Sequence, residues 1–398
     1  MIMRRLLSVV LLLASMPMAC AVDTLTGVDV LERNGFAELN GKRVALITNH
    51  TGLSRDGRST IRLLHDAPDV ELVRIFSPEH GIEGKLDIPN IDDATEAGTG
   101  IPIFSLYGEV RGPTAEMLDG IDVVVFDIQD IGTRFYTYIS TMGTSMEAAA
   151  RHGVRFLVLD RPNPINGLNV AGPVLEDGLQ SFVGYHALPI RHGMTVGELA
   201  LMFRDELELE LDLEVVAVSG WRRSEYFDET GLTWINPSPN MRSLRAAILY
   251  PGIGLLETTN VSVGRGTATP FEIFGAPWID GADLADKLNA LDFPGVEFAE
   301  EAFTPDASTF ANEACGGVRI TITNRDRIEP LVIGFSIAQQ LLLDYPDNWQ
   351  TERYNRLLGN TAVLDALLAG ADLRSIEALY RDGLETFLER RNEFLLYD

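Results

Sequence analysis

The sequence predicts an α/β protein of two domains, in which a parallel-sheet domain is followed by a smaller α/β domain. Its 398 residues, 46% of them hydrophobic, suffice for two separate cores. Apolar runs recur through the first half of the chain, with segments of helical composition between them. A stretch rich in Gly, Thr and Pro then separates this half from a second set of strand and helix patterns.

Five apolar runs in the first half are predicted to be strands buried on both faces, because none alternates regularly between apolar and polar residues. These runs are Arg43–His50, Val70–His80, Ile101–Gly108, Asp122–Asp130 and Arg155–Pro164. Segments of helical composition, such as residues 58–67 and 138–153, lie between several of them. Strands and helices in alternation predict a parallel sheet with right-handed crossovers.

The second half of the chain begins with other patterns. Periodicity predicts a helix over Met194–Leu207, and apolar runs predict strands over Leu213–Val218 and Arg245–Gly252. Residues Gly252–Asp280 have little helical period, so we expect a long structured loop region that joins the two domains. The strand and helix patterns that follow predict the smaller domain.

Residues 1–21 are predicted to be a secretory signal peptide. Arg4 and Arg5 precede an apolar run, and Ala19–Ala21 has the small-x-small form of a cleavage site. A membrane anchor is the alternative, but the run is shorter than the roughly 20 residues of a spanning helix. Lipid attachment at Cys20 is a second alternative. We therefore expect an exported protein, periplasmic or secreted, with Cys315 as its one remaining cysteine.

Charge and missing motifs exclude several classes of function. The formal net charge of −26, or −28 without the two signal-peptide arginines, disfavours nucleic acid and anionic membrane surfaces as partners. No glycine-rich dinucleotide fingerprint and no GxSxG nucleophile motif occurs in the sequence. No HExxH, paired-Cys or EF-hand spacing occurs either, so a metal site is the minority interpretation and no cofactor is expected.

Polar side chains follow the apolar part of every predicted strand in the first half. Ligands bind outside the carboxyl ends of parallel strands, near the point where the strand order reverses. The sequence therefore predicts one cleft at this edge of the sheet. The clustered residues are Asn49, His50, Glu79, His80, Tyr107, Asp127, Gln129, Asp130, Asp160, Arg161 and Asn163.

Glu79 is the leading catalytic candidate. Pro78 before it cannot donate a ladder hydrogen bond and ends the strand, while Gly81 permits a tight turn and a close approach of a ligand. A carboxyl group between low-dielectric walls can keep its proton near neutral pH and act as a general acid. The alternative is a carboxylate that caps a helix or pairs with an arginine.

The composition of the cleft favours a sugar ligand. Aromatic rings stack on carbohydrate faces, and carboxylates and amides bridge paired hydroxyl groups. The sequence following Phe126 supplies Asp127, Gln129, Asp130, Arg134, Tyr136 and Tyr138. An arginine can grip an acidic substituent through two hydrogen bonds, and the candidates are Arg161, Arg191 and Arg265. The alternative for each tyrosine and each arginine is a purely structural role.

Several motifs together carry a family resemblance, which runs from about Gly35 to the C-terminus. They are "TNHTG", "SPEHGIEG", "DIQDIGTRFYTYISTM", "DRPNPING", "GPVLE", "PIRHGMTVGELA", "SPNM", "YPGIGLLETTNVSVGRGT" and "PFEIFGAPW". The chain resembles the NamZ-type exo-β-N-acetylmuramidases, long classed as a domain of unknown function. The resemblance implies a Rossmann-like N-terminal domain over residues 22–255 that carries the catalytic site. It also implies a smaller C-terminal α/β domain over residues 256–398 with the linking loop, and a cleft between the two.

The same resemblance implies a function. The family removes N-acetylmuramic acid from the non-reducing ends of peptidoglycan fragments, so MurNAc-GlcNAc and muropeptides are the expected partners, in cell-wall turnover and recycling. The family's proposed catalytic glutamate falls on Glu79. The second catalytic group is left open among Asp127, Asp130 and Glu176, with attack by the substrate's own acetamide as a further alternative. The expected substrate-binding residues are Asn49, His50, His80, Gln129, Arg134, Tyr136, Tyr138, Arg161, Asn163, Arg191, His192, Asn240 and Arg265.

Two other functions remain compatible with the sequence. A non-catalytic protein that binds muropeptides or sugars would use the same cleft without cleaving its ligand. A metal-dependent hydrolase would use the cleft's histidines and carboxylates as metal ligands. Loss of hydrolysis with retained binding would identify the first, and sensitivity to a chelator would identify the second.

Overall fold

The computed structural model describes residues 23–398, so the predicted signal peptide and Cys20 lie outside the described residues. The strands are β1 (Lys42–Thr48), β2 (Val70–Ser77), β3 (Ala94–Thr95), β4 (Pro102–Ser105), β5 (Val123–Asp127), β6 (Arg155–Leu159), β7 (Ala171–Val174), β8 (Pro189–Arg191), β9 (Leu213–Val216), β10 (Ile273–Ala276), β11 (Val296–Glu300) and β12 (Gly316–Ile322). The α-helices are α1 (Gly27–Arg33), α2 (Thr60–Asp66), α3 (Ala115–Leu118), α4 (Tyr138–His152), α5 (Val196–Glu206), α6 (Leu244–Ile253), α7 (Gly281–Asn289), α8 (Pro330–Asp344), α9 (Asn355–Leu358), α10 (Thr361–Leu368) and α11 (Leu373–Arg391). Among the described residues, no helix combines the length and hydrophobicity that a membrane span requires.

A seven-stranded sheet with the order β3-β4-β2-β1-β5-β6-β9 forms the centre of the N-terminal domain. Its neighbours are parallel except for the antiparallel pair β3–β4 at one edge. This is the order of a Rossmann-like doubly wound sheet with one added edge strand. The strand order reverses between β1 and β5, which places a crevice outside the carboxyl ends of these strands. The predicted Rossmann-like parallel sheet is confirmed.

Both faces of this sheet are covered, as the lack of alternation in the apolar runs predicts. Along β1, Val44 and Leu46 belong to a core on the face covered by α1 and α2. Ala45 and Ile47 belong to the larger core on the other face, which includes α4 and α5. Because successive side chains of a strand point to opposite faces, an apolar residue at every position is what burial on both sides requires.

The C-terminal domain has a three-stranded antiparallel sheet of order β10-β12-β11. Helix α6 meets α8 at very close range: a Cβ atom at Gly252 would lie 1.8 Å from the carbonyl oxygen of Pro330. A Cβ atom at Gly334 would in turn lie 2.6 Å from the carbonyl oxygen of Gly252. Near the C-terminus, the Tyr397 hydroxyl donates to Asp160 Oδ2 at 2.5 Å, beside the N-terminal sheet. Contacts from both ends of the C-terminal domain therefore fix it to the N-terminal domain.

Two expectations for the domain junction are wrong in part. Arg245–Gly252, predicted to be a strand, lies in helix α6, whose N-cap residue Ser243 accepts a hydrogen bond from the Ala246 amide at 3.0 Å. Residues on all sides of this helix are buried, and a short apolar run without a period does not distinguish a buried helix from a strand. The predicted loop region over Gly252–Asp280 also contains a 3-10 helix at Gly254–Thr258 and strand β10.

Candidate active site

A cavity of about 230 Å³ lies where the loop after β2 and the segment before α4 meet the C-terminal domain. Pockets for drug-sized ligands have volumes of roughly 300–1,000 Å³, so this cavity suits a smaller ligand. Six of the predicted site residues line it: Glu79, His80, Tyr136, Tyr138, Asn240 and Arg265. Polar residues that the sequence analysis did not select also line it, among them Asp87, Thr137, Ser238, Tyr250, Glu257 and Arg356.

Glu79 reaches the cavity through a tight turn after β2. His80 has a φ of 71° and Gly81 also has a φ of 71°, and the Gly81 amide donates to the Pro78 carbonyl at 3.0 Å. A positive φ is uncommon for a residue other than glycine, so the His80 backbone is strained at this position. The Thr137 hydroxyl donates a hydrogen bond to Glu79 Oε2. The turn and this hydrogen bond together define the position of the carboxyl group.

Tyr107, at the end of the predicted strand that contains β4, has its hydroxyl near the Glu79 carboxylate. Burial is the main cause that raises the pKa of its hydroxyl, and the Glu79 carboxylate raises it further. The hydroxyl therefore keeps its proton across the physiological pH range. It can serve as a fixed donor to the carboxyl group.

Glu257 is a second carboxylate of the same cavity, and the sequence analysis missed it. Its Oε2 accepts a hydrogen bond from the Tyr250 hydroxyl at 2.9 Å, and its Oε1 accepts one from Arg265 Nη1 at 3.0 Å. Burial raises the pKa of Glu257, and the negative charge of Glu79 adds to this rise while Arg265 opposes it. The two carboxylates are thus electrostatically coupled. A signal was present, because Glu257 is a lone acidic residue directly after an apolar stretch.

Arg265 connects Glu257 to another carboxylate. Its Nη2 donates to Asp87 Oδ2 at 2.6 Å, and Asn240 Nδ2 donates to the same oxygen at 3.2 Å. Burial alone would raise the pKa of Asp87, but the hydrogen bond and charge of Arg265, together with His80 and Asn240, outweigh burial and lower it. Both terminal nitrogens of Arg265 are therefore engaged by protein carboxylates. The residue holds the cavity wall together.

Tyr136 and Tyr138 line the cavity but are mostly buried, with exposed fractions of 8% and 1%. Their rings meet edge to face with centroids 5.0 Å apart, and Tyr136 has the same arrangement with Tyr250 at 6.0 Å. The Tyr138 hydroxyl donates to the Pro237 carbonyl at 2.5 Å. These tyrosines form a rigid aromatic floor and expose little ring face to a ligand.

Asp127, a candidate for the second catalytic group, does not line the cavity. It is fully buried and forms a two-pronged ion pair with Arg161, whose Nε lies 2.5 Å from Oδ1 and whose Nη2 lies 2.9 Å from Oδ2. The Thr60 hydroxyl donates to Oδ2 as well. Three of the carboxylate's about four lone-pair positions thus accept hydrogen bonds inside the protein. Asp127 and Arg161 have a structural role.

Asp130 and His192 are also buried away from the cavity. Asp130 Oδ2 accepts a hydrogen bond from the Gly132 amide at 2.7 Å and lies 3.8 Å from His192 Nε2. Burial raises the pKa of Asp130 to about 7 and lowers the pKa of His192 to about 3. Both groups are consequently neutral in mildly acidic solution. Neither side chain lines the cavity, so their roles as a catalytic group and a sugar-binding residue stay predictions.

We expect Asp130→Asn to change how stability depends on pH. The carboxyl pKa is about 3.9 in an unfolded chain and about 7 in the folded protein, so the folded state binds this proton more tightly. The stability that this proton contributes is complete below pH 4 and is lost as the pH rises through 7, by at most about 1.4 kcal/mol per pH unit. Urea unfolding at pH 4, 5.5, 7 and 8 should show Asp130→Asn gaining stability relative to wild type as the pH rises. A difference independent of pH would contradict this assignment.

Arg134 and Glu176 hold the C-terminal domain in place. The fully buried Arg134 donates to the carbonyl oxygens of Leu357 and Leu358, at 2.7 and 2.8 Å, and to two carbonyls of the N-terminal domain. Glu176 Oε2 accepts a hydrogen bond from the Thr361 amide at 2.8 Å, at the start of α10. Neither residue lines the cavity, so the structure does not support their predicted roles in the site.

Replacing Arg134 with Met should lower the free energy of unfolding by roughly 2–4 kcal/mol, because four carbonyl groups lose their donor. Chemical denaturation at neutral pH measures this loss. Arg151→Met, on the exposed face of α4, is the matched control and should change stability by no more than about 0.5 kcal/mol. Equal stabilities of the two variants would show that Arg134 does not fasten the domains.

The remaining predicted binding residues lie outside the cavity. They are Asn49, His50, Gln129, Asn163 and Arg191, and each uses its side chain in a hydrogen bond to the backbone of another residue. Gln129 and Arg161 line a separate cavity of about 240 Å³ near the carboxyl ends of β1 and β5. Within residues 23–398, no three His, Cys, Asp or Glu side chains come together as metal ligands would.

The cavity therefore offers two coupled carboxylates, several hydroxyl groups and an amide on an aromatic floor. Most glycoside hydrolases rely on two carboxyl groups in one site. The residues of this cavity are therefore typical of a glycoside hydrolase.

Comparison with known proteins supports the same class. Residues 44–245 match the family described as "Exo-beta-N-acetylmuramidase NamZ, N-terminal", and residues 248–397 match its C-terminal counterpart. The peptidoglycan beta-N-acetylmuramidase NamZ of Bacillus subtilis (strain 168) is 41% identical over 376 residues, which cover 94% of this chain and 91% of the relative.

Two solved structures of DUF1343 family proteins from Bacteroides fragilis NCTC 9343 are also similar. The first has a TM-score of 0.88 and 40% identity, and covers 94% of this chain and 99% of its own. The second has a TM-score of 0.78 and 30% identity, and covers 95% and 99%. The chain belongs to the NamZ family of exo-β-N-acetylmuramidases, and it is a glycosidase.

Proposed function

We propose that this protein is an exo-acting glycosidase that releases N-acetylmuramic acid from the non-reducing ends of peptidoglycan fragments. The presence of Glu79 and Glu257 in one cavity of about 230 Å³ carries the proposal. A cavity of this size between two domains receives a terminal sugar more readily than the middle of a glycan chain. The name of the Bacillus subtilis relative, a peptidoglycan beta-N-acetylmuramidase, supports the choice of substrate.

Glu79 is the general acid in this proposal. With Oε2 held by the Thr137 hydroxyl, the other carboxyl oxygen carries the proton to the glycosidic oxygen as the bond to the leaving sugar breaks. A proton delivered at this point avoids the release of an alkoxide. The hydrogen bond from Thr137 keeps the carboxyl group oriented toward the bond.

Glu257 is the second catalytic group, in place of Asp127, Asp130 and Glu176. Glycosidic cleavage needs a second group that stabilises or attacks the developing positive charge at the anomeric carbon. Burial raises the pKa of Glu257, which makes it a stronger base than an exposed carboxylate. Tyr250 and Arg265 hold it in one orientation.

The enzyme acts outside the cytoplasm in cell-wall turnover and recycling. The predicted signal peptide over residues 1–21 supports this location, since peptidoglycan lies outside the cytoplasmic membrane. Intact mass spectrometry of the exported protein tests it. A chain that begins at Val22 supports export with cleavage, an added lipid mass at Cys20 identifies an anchored protein, and a chain that keeps residues 1–21 contradicts cleavage.

The activity itself is tested with two chromogenic substrates, the 4-nitrophenyl β-glycosides of N-acetylmuramic acid and of N-acetylglucosamine. We expect hydrolysis of the muraminide and little hydrolysis of the glucosaminide, with the same rates in the presence of a chelator. Binding of N-acetylmuramic acid without hydrolysis of either glycoside would contradict the proposal and identify a binding protein.

A further inference from the structure

Arg356 is an arginine of the cavity that no sequence motif indicated. It lies on α9 in the C-terminal domain, its side chain is exposed, and it lines the same cavity as Glu79 and Glu257. Among residues 23–398, its guanidinium has neither an ion-pair partner nor a hydrogen bond. An unpaired cation at a cavity is unusual in a chain with a net charge of −26.

The other cationic side chains of the cavity are already engaged. Arg265 donates to Glu257 and Asp87, and the His80 ring contacts the Leu86 carbonyl through Nδ1 at 2.7 Å. The arginines selected from the sequence, Arg161 and Arg191, are buried elsewhere and bonded inside the protein. Arg356 is therefore the one cation among the described cavity residues that is available to an acidic ligand.

The position of Arg356 is defined by contacts across the domain boundary. Arg134 binds the carbonyl oxygens of the two residues that follow Arg356, at 2.7 and 2.8 Å. The Glu176 amide donates to the Gly359 carbonyl at 2.9 Å, and Gly359 ends α9 with a φ of 65°. The N-terminal domain thus holds α9 at both its end and its following turn. These contacts fix the backbone of Arg356 and so limit the positions that its guanidinium can reach.

The chemistry of the substrate calls for such a cation. N-acetylmuramic acid differs from N-acetylglucosamine by one lactyl ether, which ends in a carboxylate. In a cavity lined by Glu79, Asp87 and Glu257, a further carboxylate is repelled unless a positive charge faces it. A guanidinium binds a carboxylate through two parallel hydrogen bonds.

We propose that Arg356 binds the lactyl carboxylate and selects N-acetylmuramic acid over N-acetylglucosamine. This inference rests on the proposed exo-muramidase function and names the residue that sets its specificity. The C-terminal domain then supplies substrate discrimination, while the N-terminal domain supplies the general acid.

The test compares kcat/KM for the muraminide, the glucosaminide and a muraminide whose lactyl carboxylate is a carboxamide. Arg356→Ala should lower kcat/KM for the muraminide roughly 10-fold and leave the two uncharged substrates nearly unchanged, because only the charge-assisted contact is lost. Arg356→Lys should retain part of the preference. Arg353→Ala removes an exposed arginine that does not line the cavity and is the matched control, with wild-type preference expected.

Two outcomes overturn the proposal: an equal loss on all three substrates, or an unchanged preference for the muraminide. Titration calorimetry of free N-acetylmuramic acid against N-acetylglucosamine gives a second reading that needs no hydrolysis. If wild type cleaves no substrate, the proposed function fails, but a selective loss of N-acetylmuramic acid affinity in Arg356→Ala still supports the role of Arg356. Equal affinities of wild type and Arg356→Ala for N-acetylmuramic acid refute it.

Discussion

Glu79→Gln should lower kcat/KM for a MurNAc-GlcNAc disaccharide by roughly 10²–10⁴-fold, the usual contribution of a general acid. The amide has the shape of the carboxyl group and can still accept the hydrogen bond from Thr137, but it cannot deliver a proton. The sugar leaving group needs that proton because its alkoxide is a poor leaving group. Steady-state kinetics with product quantification measures the loss.

The leaving group provides the control for this variant. The 2,4-dinitrophenolate group of a 2,4-dinitrophenyl muraminide departs without protonation. Glu79→Gln should therefore cleave this substrate at a rate much closer to that of wild type. Glu83→Gln, an exposed residue in the same loop, should behave as wild type on both substrates. A loss of equal size on both substrates would assign Glu79 to the second catalytic role or to structure, and full activity on the disaccharide would remove it from the mechanism.

Glu257→Gln should lower kcat/KM on both substrates by roughly 10²–10⁴-fold, independent of the leaving group. The second group acts at the anomeric carbon, so a better leaving group does not compensate for the loss of that group. The amide also loses the negative charge that Arg265 and the Tyr250 hydroxyl contact in wild type. Kinetics on the disaccharide and on the 2,4-dinitrophenyl muraminide measure both losses.

Tyr250→Phe is the matched variant for Glu257, because it removes one hydrogen bond and keeps the carboxylate. We expect a smaller loss of activity, since a single hydrogen bond contributes about 1 kcal/mol. Thermal unfolding of both variants shows whether the fold is intact. A folded Glu257→Gln enzyme with wild-type rates would exclude Glu257 as the second group.

The parallel sheet could be predicted from the sequence because burial on both faces requires apolar residues at successive positions of a strand. Residues of β1 such as Ala45 and Leu46 are apolar at successive positions, which a sheet with one wet face would not require. Glu79 was also accessible, since Pro78 and Gly81 place a turn at the end of a strand. Both features depend on residues that are neighbours in the sequence, so a short stretch of sequence is enough to predict them.

The positions of Glu257 and Arg356 beside Glu79 could not be predicted in this way. Glu257 and Arg356 come from the C-terminal domain and meet Glu79 only through the packing of that domain on the sheet. Glu257 is a lone acidic residue after an apolar stretch, while the neighbours of Arg356 in the sequence carry no catalytic pattern. Because both residues are far from Glu79 along the chain, the sequence alone does not show that they share its cavity.

Polar residues at strand ends were a misleading guide to the ligand. Asp127 and Arg161 satisfy one another, and Asp130 lies beside His192, all beneath the surface of the cavity. The C-terminal domain and the loops cover this edge of the sheet, so polar groups there need internal partners. The pattern of polar residues marks the edge of the sheet correctly but does not separate ligand contacts from buried support.

The most direct test of the account is the product released from a purified glycan chain with N-acetylmuramic acid at its non-reducing end. Mass spectrometry should show one N-acetylmuramic acid released per chain by the wild-type enzyme, which leaves a chain that begins with N-acetylglucosamine. It should show almost no release by Glu79→Gln over the same period. Release of disaccharides or longer fragments by wild type, or an undiminished rate with Glu79→Gln, would contradict exo-muramidase chemistry with Glu79 as its acid.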